Sequence, residues 1–334
     1  MKRYTRRSFL QHSAIGAIAA AVPPSLWAAS GKAPLSAFDA ASTAEEVTAG
    51  LDLTGRTFAI TGANSGLGYE TMRVLTMRGA HVIGIARTQE KASDACASVG
   101  GKATPAHLDL GVPDSIVSCA ETIRGMDVPI DGLICNAGIM ALPDLEQING
   151  IEKQFAVNHL GHFILINQLQ DIVLAADQGR FVIVSSGAHT SAPEEGIRFD
   201  DLAFEEGEYK PWTAYGHSKL ANALCARELA NRLDDTTATA NSLHPGVINT
   251  NLGRHMPWYT RMAASLIGWT FMKSVEAGAA TQTYLATSPE LAEVSGLYFA
   301  DCNPAEGTQF VTDDAMAAKL WAVSEELTAP YLRS

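Results

Sequence analysis

A tyrosine and a lysine four positions apart, Tyr215 and Lys219, are the two residues best suited to move a proton. They fall in a helical pattern, in which residues four apart project from the same face. A free tyrosine titrates at a pH of about 10, and a nearby ammonium group favours the phenolate and lowers that pKa. The spacing therefore indicates a tyrosine that exchanges a proton with a substrate near neutral pH. An amphipathic helix with a buried aromatic residue is the alternative.

A serine pair, Ser185 and Ser186, follows the near-continuous apolar run from Phe181 to Val184. Such a run is typical of a strand that is covered on both faces of a sheet. Ligands of open α/β sheets bind beyond the carboxyl ends of the strands. A hydroxyl group at this place can therefore hold a substrate oxygen and stabilise charge on it. The strand position alone leaves open which serine does so.

A glycine-rich segment follows the first predicted strand and opens a helix. Its sequence is Thr61-Gly62-Ala63-Asn64-Ser65-Gly66-Leu67-Gly68. Glycines let the backbone turn tightly and approach a pyrophosphate, whose charge is favoured at a helix N-terminus. The segment predicts a dinucleotide site, and a tight turn that only packs the helix is the alternative.

Short apolar segments alternate with longer amphipathic ones from Thr57 onward. We predict strands at residues 57–61, 81–86, 102–107, 132–135, 180–185, 238–244 and 297–300. We predict helices near residues 66–78, 90–98, 113–124, 150–175, 212–233 and 275–287. The alternation indicates an α/β protein with a single doubly wound parallel sheet of the Rossmann type and helices on both faces. One such sheet commonly uses about 250 residues, so we expect one catalytic domain over 53–334, after a connector over 31–52.

The ordered set of motifs resembles the short-chain dehydrogenase/reductase family, over about Thr54 to Asp301. The matching pieces are the TGxxxGxG segment, Asn136-Ala137-Gly138, Asn158, Ser185-Ser186, Tyr215 with Lys219, and Pro245-Gly246. Within the family the chain is most similar to the retinol-dehydrogenase-like branch. The segments that carry this closer likeness are Thr43-Ala44-Glu45-Glu46-Val47, Asn158-His159-Leu160-Gly161-His162-Phe163, His217-Ser218-Lys219-Leu220-Ala221-Asn222 and Ser295-Gly296-Leu297-Tyr298-Phe299.

The resemblance implies a catalytic set of four residues, Asn158, Ser186, Tyr215 and Lys219. Tyr215 would transfer the proton, and Lys219 would tune it and hold the nicotinamide ribose. The family's SSxAH pattern aligns with Ser186 rather than Ser185, so Ser186 would hold the substrate oxygen. Asn158 would order a water next to the lysine and complete a proton relay.

The resemblance also implies which residues contact the dinucleotide. They are Gly62, Asn64, Ser65, Gly66, Leu67, Gly68, Arg87, Asp109, Leu110, Asn136, Ala137, Gly138, Tyr215, Lys219, Pro245, Gly246, Val247 and Thr250. An acid at the end of the second strand would bind the ribose 2′-hydroxyl of NAD, but here an arginine, Arg87, stands there. A guanidinium group suits a 2′-phosphate, so we expect NADP (NADPH) rather than NAD. A surface arginine without this role is the alternative.

The substrate side is predicted from two segments. Residues between Pro193 and Pro211 form a longer insertion than minimal family members carry, and we expect it to line one wall of the pocket. The region near 252–275 is rich in large apolar side chains such as Trp258, Tyr259 and Trp269. It predicts an apolar lid and hence a lipophilic carbonyl or alcohol substrate, and core packing is the alternative.

His159 and His162 form an HxxH pair, but the sequence shows no pattern of further metal ligands nearby, so we expect core histidines and no metal.

The first thirty residues predict an export signal. A cationic start with Arg6 and Arg7 precedes an apolar stretch from Ala14 to Val22, which is too short to span a bilayer. Arg6-Arg7-Ser8-Phe9-Leu10 resembles the twin-arginine signal, which implies the twin-arginine translocase as a partner and a periplasmic or exported location. An ordinary secretory signal or an uncleaved basic anchor are alternatives, and the chain would be cytoplasmic if the signal does not function.

Bulk properties limit the remaining choices. The net charge of −12 argues against a nucleic-acid partner, and the five scattered cysteines suit buried apolar positions. A homodimer or tetramer is a family expectation.

Two other functions compete with a working oxidoreductase. A cofactor-bound sensor or assembly partner would keep the site with little turnover, whereas a sugar-nucleotide epimerase or dehydratase is disfavoured because its GxxGxxG segment is absent.

Overall fold

A central sheet of eight strands organises the protein, whose computed structural model describes residues 34–248 and 272–333. The strands of the described residues are β1 (Thr57–Thr61), β2 (His81–Ala86), β3 (Ala103–His107), β4 (Gly132–Cys135), β5 (Gln147–Ile148), β6 (Ile151–Glu152), β7 (Arg180–Val184), β8 (Thr239–His244), β9 (Tyr298–Ala300) and β10 (Asn303–Pro304). Their order in the sheet is β3-β2-β1-β4-β7-β8-β9-β10, and β5 and β6 form a separate hairpin. Every neighbouring pair is parallel except β9 with β10.

Helices cover both faces of this sheet. They are α1 (Ala44–Val47), α2 (Gly66–Met77), α3 (Gln89–Ser98), α4 (Pro113–Arg124), α5 (Lys153–Phe155), α6 (Gly161–Leu174), α7 (Pro211–Arg232), α8 (Val275–Gly278), α9 (Ala280–Thr287) and α10 (Asp314–Thr328). A π-helical segment, Ala156–Leu160, joins α5 to α6, and a 3-10 turn, Gly187–Ser191, follows β7. No described helix is long and apolar enough to cross a membrane.

Successive strand residues point to opposite faces, so each strand contributes to two cores. Leu133 of β4 packs in one core with α4, α6 and α7, whereas Ile134 packs in the other with α2, α3 and α9. The predicted fold class is confirmed: a mostly parallel, doubly wound sheet with helices on both faces. The domain boundaries predicted from the sequence remain predictions.

The helix predicted near 150–175 is present from Lys153 to Leu174, as α5, the π-helical segment and α6, but it begins three residues later than predicted. The structure begins this region with the hairpin β5–β6, whose turn residues Asn149 and Gly150 have φ of 52° and 77°. An Asn-Gly pair is the preferred two-residue hairpin turn, because both residues tolerate positive φ. The predicted helix over 275–287 also breaks at Ala279, and the sequence analysis missed α10.

Candidate active site

Helix α7 brings Tyr215 and Lys219 to the carboxyl end of β7. Both side chains are buried, with Tyr215 7% and Lys219 3% exposed. The Lys219 Nζ lies 5.8 Å from the centroid of the Tyr215 ring. It donates a hydrogen bond of 2.9 Å to the carbonyl oxygen of Val184, the last residue of β7. The lysine is therefore anchored to the sheet beside the tyrosine, as the four-residue spacing predicts.

Burial determines the titration of this pair. It raises the pKa of Tyr215 to about 12, although a hydrogen bond with Ser186 acts in the opposite direction. Burial also lowers the pKa of Lys219 to about 8. The net shift of the tyrosine pKa is therefore upward, whereas the sequence predicts a lowered pKa, because the loss of hydration is its largest cause. At neutral pH the phenol carries its proton and the lysine is mostly charged.

The two serines after β7 have different partners. The Ser185 Oγ donates a 2.7 Å hydrogen bond to the Lys219 carbonyl oxygen and is buried, which makes it a brace between β7 and α7. The Ser186 Oγ accepts a 3.1 Å hydrogen bond from the Ala188 N–H and lies close enough to the Tyr215 hydroxyl to oppose the rise of its pKa. The structure therefore places Ser186, the residue favoured by the family pattern, beside the tyrosine.

Asn158 lies in the π-helical segment and is fully buried. Its Oδ1 accepts from the Ile139 N–H at 2.8 Å. Its Nδ2 donates to the Ile139 carbonyl and to the Ser218 Oγ, both at 2.9 Å. Both amide donors are thus used by protein groups, so the side chain braces the segment after β4 against α7. A relay water next to Lys219 would have to find hydrogen-bond donors other than these two N–H groups.

A buried histidine links Asn158 to the first strand. The His162 Nδ1 bonds to the Asn158 carbonyl, and its Nε2 bonds to the Thr61 Oγ1, each at 2.9 Å. A carbonyl only accepts, so Nδ1 carries the proton and Nε2 accepts from the threonine hydroxyl. The Thr61 Oγ1 in turn accepts from the backbone N–H groups of Asn136 and Ala137, both at 2.9 Å. His162 therefore holds the ends of β1 and β4 in register with the π-helical segment.

The glycine-rich loop is crowded where the sequence predicts a dinucleotide. Gly62 has a φ of 72° and Gly66 one of 54°, values that side chains rarely adopt. A Cβ on Gly68 would lie 2.4 Å from the Gly62 carbonyl oxygen and 2.6 Å from the Asn136 Nδ2. The loop can form only with a glycine at Gly68, and its open backbone at the start of α2 fits a pyrophosphate.

One cation, Lys91, lies beside this loop, and a second, Arg87, follows β2. Arg87 is exposed and forms no ion pair within the described residues. A cavity of about 320 Å³ is lined by Asn64 of the loop, Lys91 and Asp94 of α3, and Tyr69 of α2. Sequence reasoning missed Lys91, which follows Arg87 by one helical turn. The signal was a second cation in the first turn of the helix that starts after β2.

The remaining predicted cofactor residues lie at other strand ends. The half-buried Asp109 follows β3, its Oδ1 accepts from the Gly111 N–H at 2.9 Å, and Leu110 beside it is buried. A Cβ on Gly138 would lie 3.1 Å from the Asn158 Oδ1 and 3.6 Å from the Lys219 Nζ. The structure thus brings the segment after β4 to the catalytic lysine.

The turn after β8 approaches the same edge of the sheet. Gly246, after Pro245, has a φ of 97°, and Val247 is 56% exposed. The Val247 carbonyl accepts from the Lys273 N–H at 2.8 Å. Thr250 and residues 252–271 of the predicted lid lie outside the described residues.

The insertion between Pro193 and Pro211 is partly core. Ile197 and Leu202 are buried against Leu220 and Leu224 of α7. At its end, Trp212 is 46% exposed, and its ring centroid lies 6.0 Å from that of Tyr215. This indole is therefore the large apolar side chain that the described residues place beside the catalytic tyrosine.

The HxxH histidines bond to protein, since the His159 Nε2 lies 2.7 Å from the Ser324 Oγ of α10.

Known proteins share this arrangement. Residues 56–197 match the short chain dehydrogenase family. The chain is 41% identical to the chloroplastic short-chain dehydrogenase TIC 32 A of Brassica napus, over 89% of this chain and 96% of that protein. It is 39% identical to human retinol dehydrogenase 14, over 81% and 85% of the two chains.

Solved structures agree with this likeness. A protein of Mycobacterium paratuberculosis is 32% identical with a TM-score of 0.69, covering 88% of this chain and 98% of that one. A structure from Beutenbergia cavernae, described as an NAD(P)-dependent gluconate 5-dehydrogenase with NADP bound at low occupancy, is 25% identical. Its TM-score is 0.59, and the match covers 75% of this chain and 96% of that one.

The sheet order and the Ser186, Tyr215 and Lys219 cluster define a dinucleotide-dependent oxidoreductase site. The chain belongs to the short-chain dehydrogenase family, in the neighbourhood of the retinol dehydrogenases. It is an NAD(P)-dependent dehydrogenase/reductase that acts on alcohol or carbonyl groups.

Proposed function

We propose that the chain is an NADP-dependent oxidoreductase whose substrates are lipophilic carbonyl compounds and the matching alcohols. The observation that carries the reaction class is the cluster of three side chains at the end of β7. The Ser186 hydroxyl opposes the upward shift of the Tyr215 pKa, and the Lys219 Nζ lies 5.8 Å from the centroid of the Tyr215 ring. Two hydroxyl groups that converge at the carboxyl end of a parallel strand suit a single substrate oxygen.

The side chains of the site manage the proton and the oxygen. When bound, the nicotinamide supplies a hydride to a carbonyl carbon or takes one from an alcohol carbon. In reduction, Tyr215 holds its proton at neutral pH and donates it to the substrate oxygen. Ser186 hydrogen-bonds the same oxygen, while the charged Lys219 favours the phenolate that Tyr215 leaves behind. In oxidation the same groups act in reverse.

The preference for NADP rests on charge. Arg87 is exposed after β2, where an acid would favour NAD, and Lys91 lines a cavity together with Asn64 of the glycine-rich loop and Asp94 of α3. Both cations can bond a 2′-phosphate. The structural relative with bound NADP supports the same assignment.

The lipophilic substrate class rests on the surface near Tyr215 and on relatives. Trp212 lies beside Tyr215 and is half-exposed, and Val247 is exposed after β8. An apolar rim next to a polar catalytic pair favours a substrate with an apolar body and one oxygen. The similarity to proteins named retinol dehydrogenase favours the same class.

The test is the loss of NADPH absorbance with purified protein and a panel of aldehydes, ketones and quinones of increasing chain length. We expect turnover that improves with chain length, and a Trp212→Ala variant that loses this trend. Tight NADPH binding without turnover on any of these compounds would favour the alternative, a cofactor-bound sensor or assembly partner.

The cofactor preference has its own test. Arg87→Ala and Lys91→Ala should each lower the ratio of kcat/KM for NADPH over NADH, by about tenfold or more. Lys102→Ala is the matched control, since this exposed lysine stands before β3, at the amino ends of the strands, whereas Arg87 follows the carboxyl end of β2. An unchanged ratio in the first two variants would remove both cations from 2′-phosphate recognition.

We also propose export through the twin-arginine translocase, on the strength of Arg6 and Arg7 and the apolar stretch that follows them. Replacing both arginines with lysine should keep the protein out of the periplasmic fraction. Periplasmic protein at the wild-type level would contradict this proposal.

A further inference from the structure

The peptide group between Ser186 and Gly187 lies between two histidines. Its carbonyl oxygen is 2.7 Å from the Nδ1 of His189, which lies in the 3-10 turn after Ser186, and it also accepts from the backbone N–H of His189 at 3.1 Å. Its N–H donates a 2.9 Å hydrogen bond to the Nδ1 of His244, the last residue of β8. One peptide group is therefore held at both of its polar atoms by imidazole rings from two separate elements.

The partners fix the protonation of each ring. The Thr308 N–H donates to the His189 Nε2 at 3.1 Å, and an amide N–H can only donate. The His189 Nε2 is therefore without a proton, and its Nδ1 carries the one donated to the Ser186 carbonyl. The Gly187 N–H likewise requires a bare Nδ1 on His244. Both rings are neutral, one acting as donor and the other as acceptor to the same peptide group.

The surroundings keep both rings neutral at physiological pH. Burial lowers the pKa of His189 and lowers that of His244 to about 4. The charged groups near His244 are Asp301 and Lys273, which form a 2.6 Å ion pair and act on its pKa in opposite directions. The Tyr298 hydroxyl lies 3.3 Å from the His189 Nδ1, with its ring edge-on to the imidazole at 5.1 Å.

The held peptide directly follows the Cα of Ser186. The serine hydroxyl accepts a hydrogen bond from the Ala188 N–H at 3.1 Å and lies near the Tyr215 hydroxyl, whose pKa it affects. Ala188 lies in the same turn, so a displacement of the Ser186–Gly187 peptide shifts the Ala188 N–H that holds the serine hydroxyl. A displacement of about 1 Å at a reacting group can cost about 100-fold in rate.

We propose that His189 and His244 are positioning residues that aim the Ser186 hydroxyl at Tyr215 by holding the Ser186–Gly187 peptide from both sides. This role rests on the proposed function, because it assumes that Ser186 binds the substrate oxygen. Neither histidine touches the substrate in it. The effect on the reaction therefore falls on kcat, and the KM for NADPH stays almost unchanged.

Paired substitutions test the proposal. An asparagine amide reaches about the position of Nδ1, whereas a glutamine amide reaches about that of Nε2. His189→Asn keeps a donor for the Ser186 carbonyl, and His244→Asn keeps an acceptor for the Gly187 N–H. We expect kcat within about fivefold of wild type for both, and a fall of about 10- to 100-fold for His189→Gln and His244→Gln. Equal losses in the asparagine and glutamine variants would overturn the proposal.

A second measurement needs no turnover. In histidine labelled with ¹⁵N, the wild-type ring of His189 should show its proton on Nδ1 and that of His244 on Nε2, both neutral between about pH 7.5 and 8. The opposite tautomer, or a charged ring in this range, would overturn the proposal even if a glutamine variant fails to fold. Wild-type protein inactive on every carbonyl tested would contradict the proposed function and leave the ring assignments to be read separately.

Discussion

The glycine-rich loop and the catalytic cluster hold their functional groups in different ways. Around the loop, Asn64, Ser65 and Arg87 are exposed or half-exposed, and the backbone shape comes from glycines that leave no room for a side chain. In the catalytic cluster, Asn158 and Lys219 are buried, and each is held by hydrogen bonds to another element.

The difference shows which substitutions matter in each region. The loop depends on backbone space, so adding a methyl group should harm it more than removing a side chain. The cluster depends on single polar atoms. A buried polar group that loses its hydrogen-bond partner lowers the stability of the protein, and a catalytic group that is held in the wrong position lowers the rate. Four predictions test this contrast.

Tyr215→Phe should have the largest effect, because it removes one polar atom on which the reaction depends. We expect kcat to fall by about 1000-fold, within the range for loss of a general acid, while NADPH affinity stays within about threefold. Tyr284→Phe is the control, since this tyrosine is also buried, with a pKa raised to about 12, but bonds to Glu290. Steady-state rates and NADPH fluorescence titration measure the two. A Tyr215→Phe rate above a tenth of wild type would contradict the mechanism.

Gly68→Ala should damage the loop through backbone space alone. The new Cβ would meet the Gly62 carbonyl at 2.4 Å, so the loop must open. We expect NADPH affinity to fall by about tenfold or more and the protein to lose about 2 kcal/mol of stability. Gly100→Ala adds the same methyl group where no atom lies within 4 Å, and should change neither. NADPH titration and thermal unfolding provide the readouts; equal affinities in the two variants would show that the loop tolerates a side chain.

Acid should unfold the protein through its buried histidines. Burial lowers the pKa of His159 and His217 to about 3 and that of His162 and His244 to about 4. The unfolded chain binds these protons near pH 6.5, so the stability they contribute is present above that pH and is lost as the pH falls toward 4. Each imidazole adds a slope of about 1.4 kcal/mol per pH unit in this window.

Denaturant titrations at pH 7, 6 and 5 measure that slope. His159→Gln should reduce it by about one histidine, because glutamine can keep a hydrogen bond to the Ser324 Oγ without titrating. An identical slope in this variant would mean that His159 does not titrate on unfolding.

Ser185→Ala should have the smallest effect, although the residue adjoins Ser186. It removes the hydrogen bond to the Lys219 carbonyl, so we expect a stability loss of about 1 kcal/mol and kcat within about threefold. Ser186→Ala should give the reverse, a large fall in kcat with little change in stability. Similar kinetics for the two variants would contradict the assignment of Ser186 as the substrate-facing serine.

Most of the fold followed from local pattern. The strands β1, β2 and β4 have the predicted bounds, because their apolar runs end at glycines and polar residues. The hairpin β5–β6 was missed since its strands have two residues each, and only the Asn149-Gly150 turn marked it. Helix α10 was missed as well, although Asp313 caps it by accepting from the Met316 N–H.

The sequence by itself determined the reaction class and the order of its parts, because Tyr215 with Lys219, the serine pair and the glycine-rich loop are short patterns with direct chemical meaning. The tertiary structure decided the hydrogen-bond partners, the pKa and the protonation of each group. It separated Ser185 from Ser186, raised the tyrosine pKa instead of lowering it, and gave His162, His189 and His244 their proton positions. The reason is physical: burial and hydrogen-bond partners set these properties. The hydrogen-bond partners are distant in the sequence: Thr61 and His162 lie 101 residues apart, and Gly187 and His244 lie 57 residues apart.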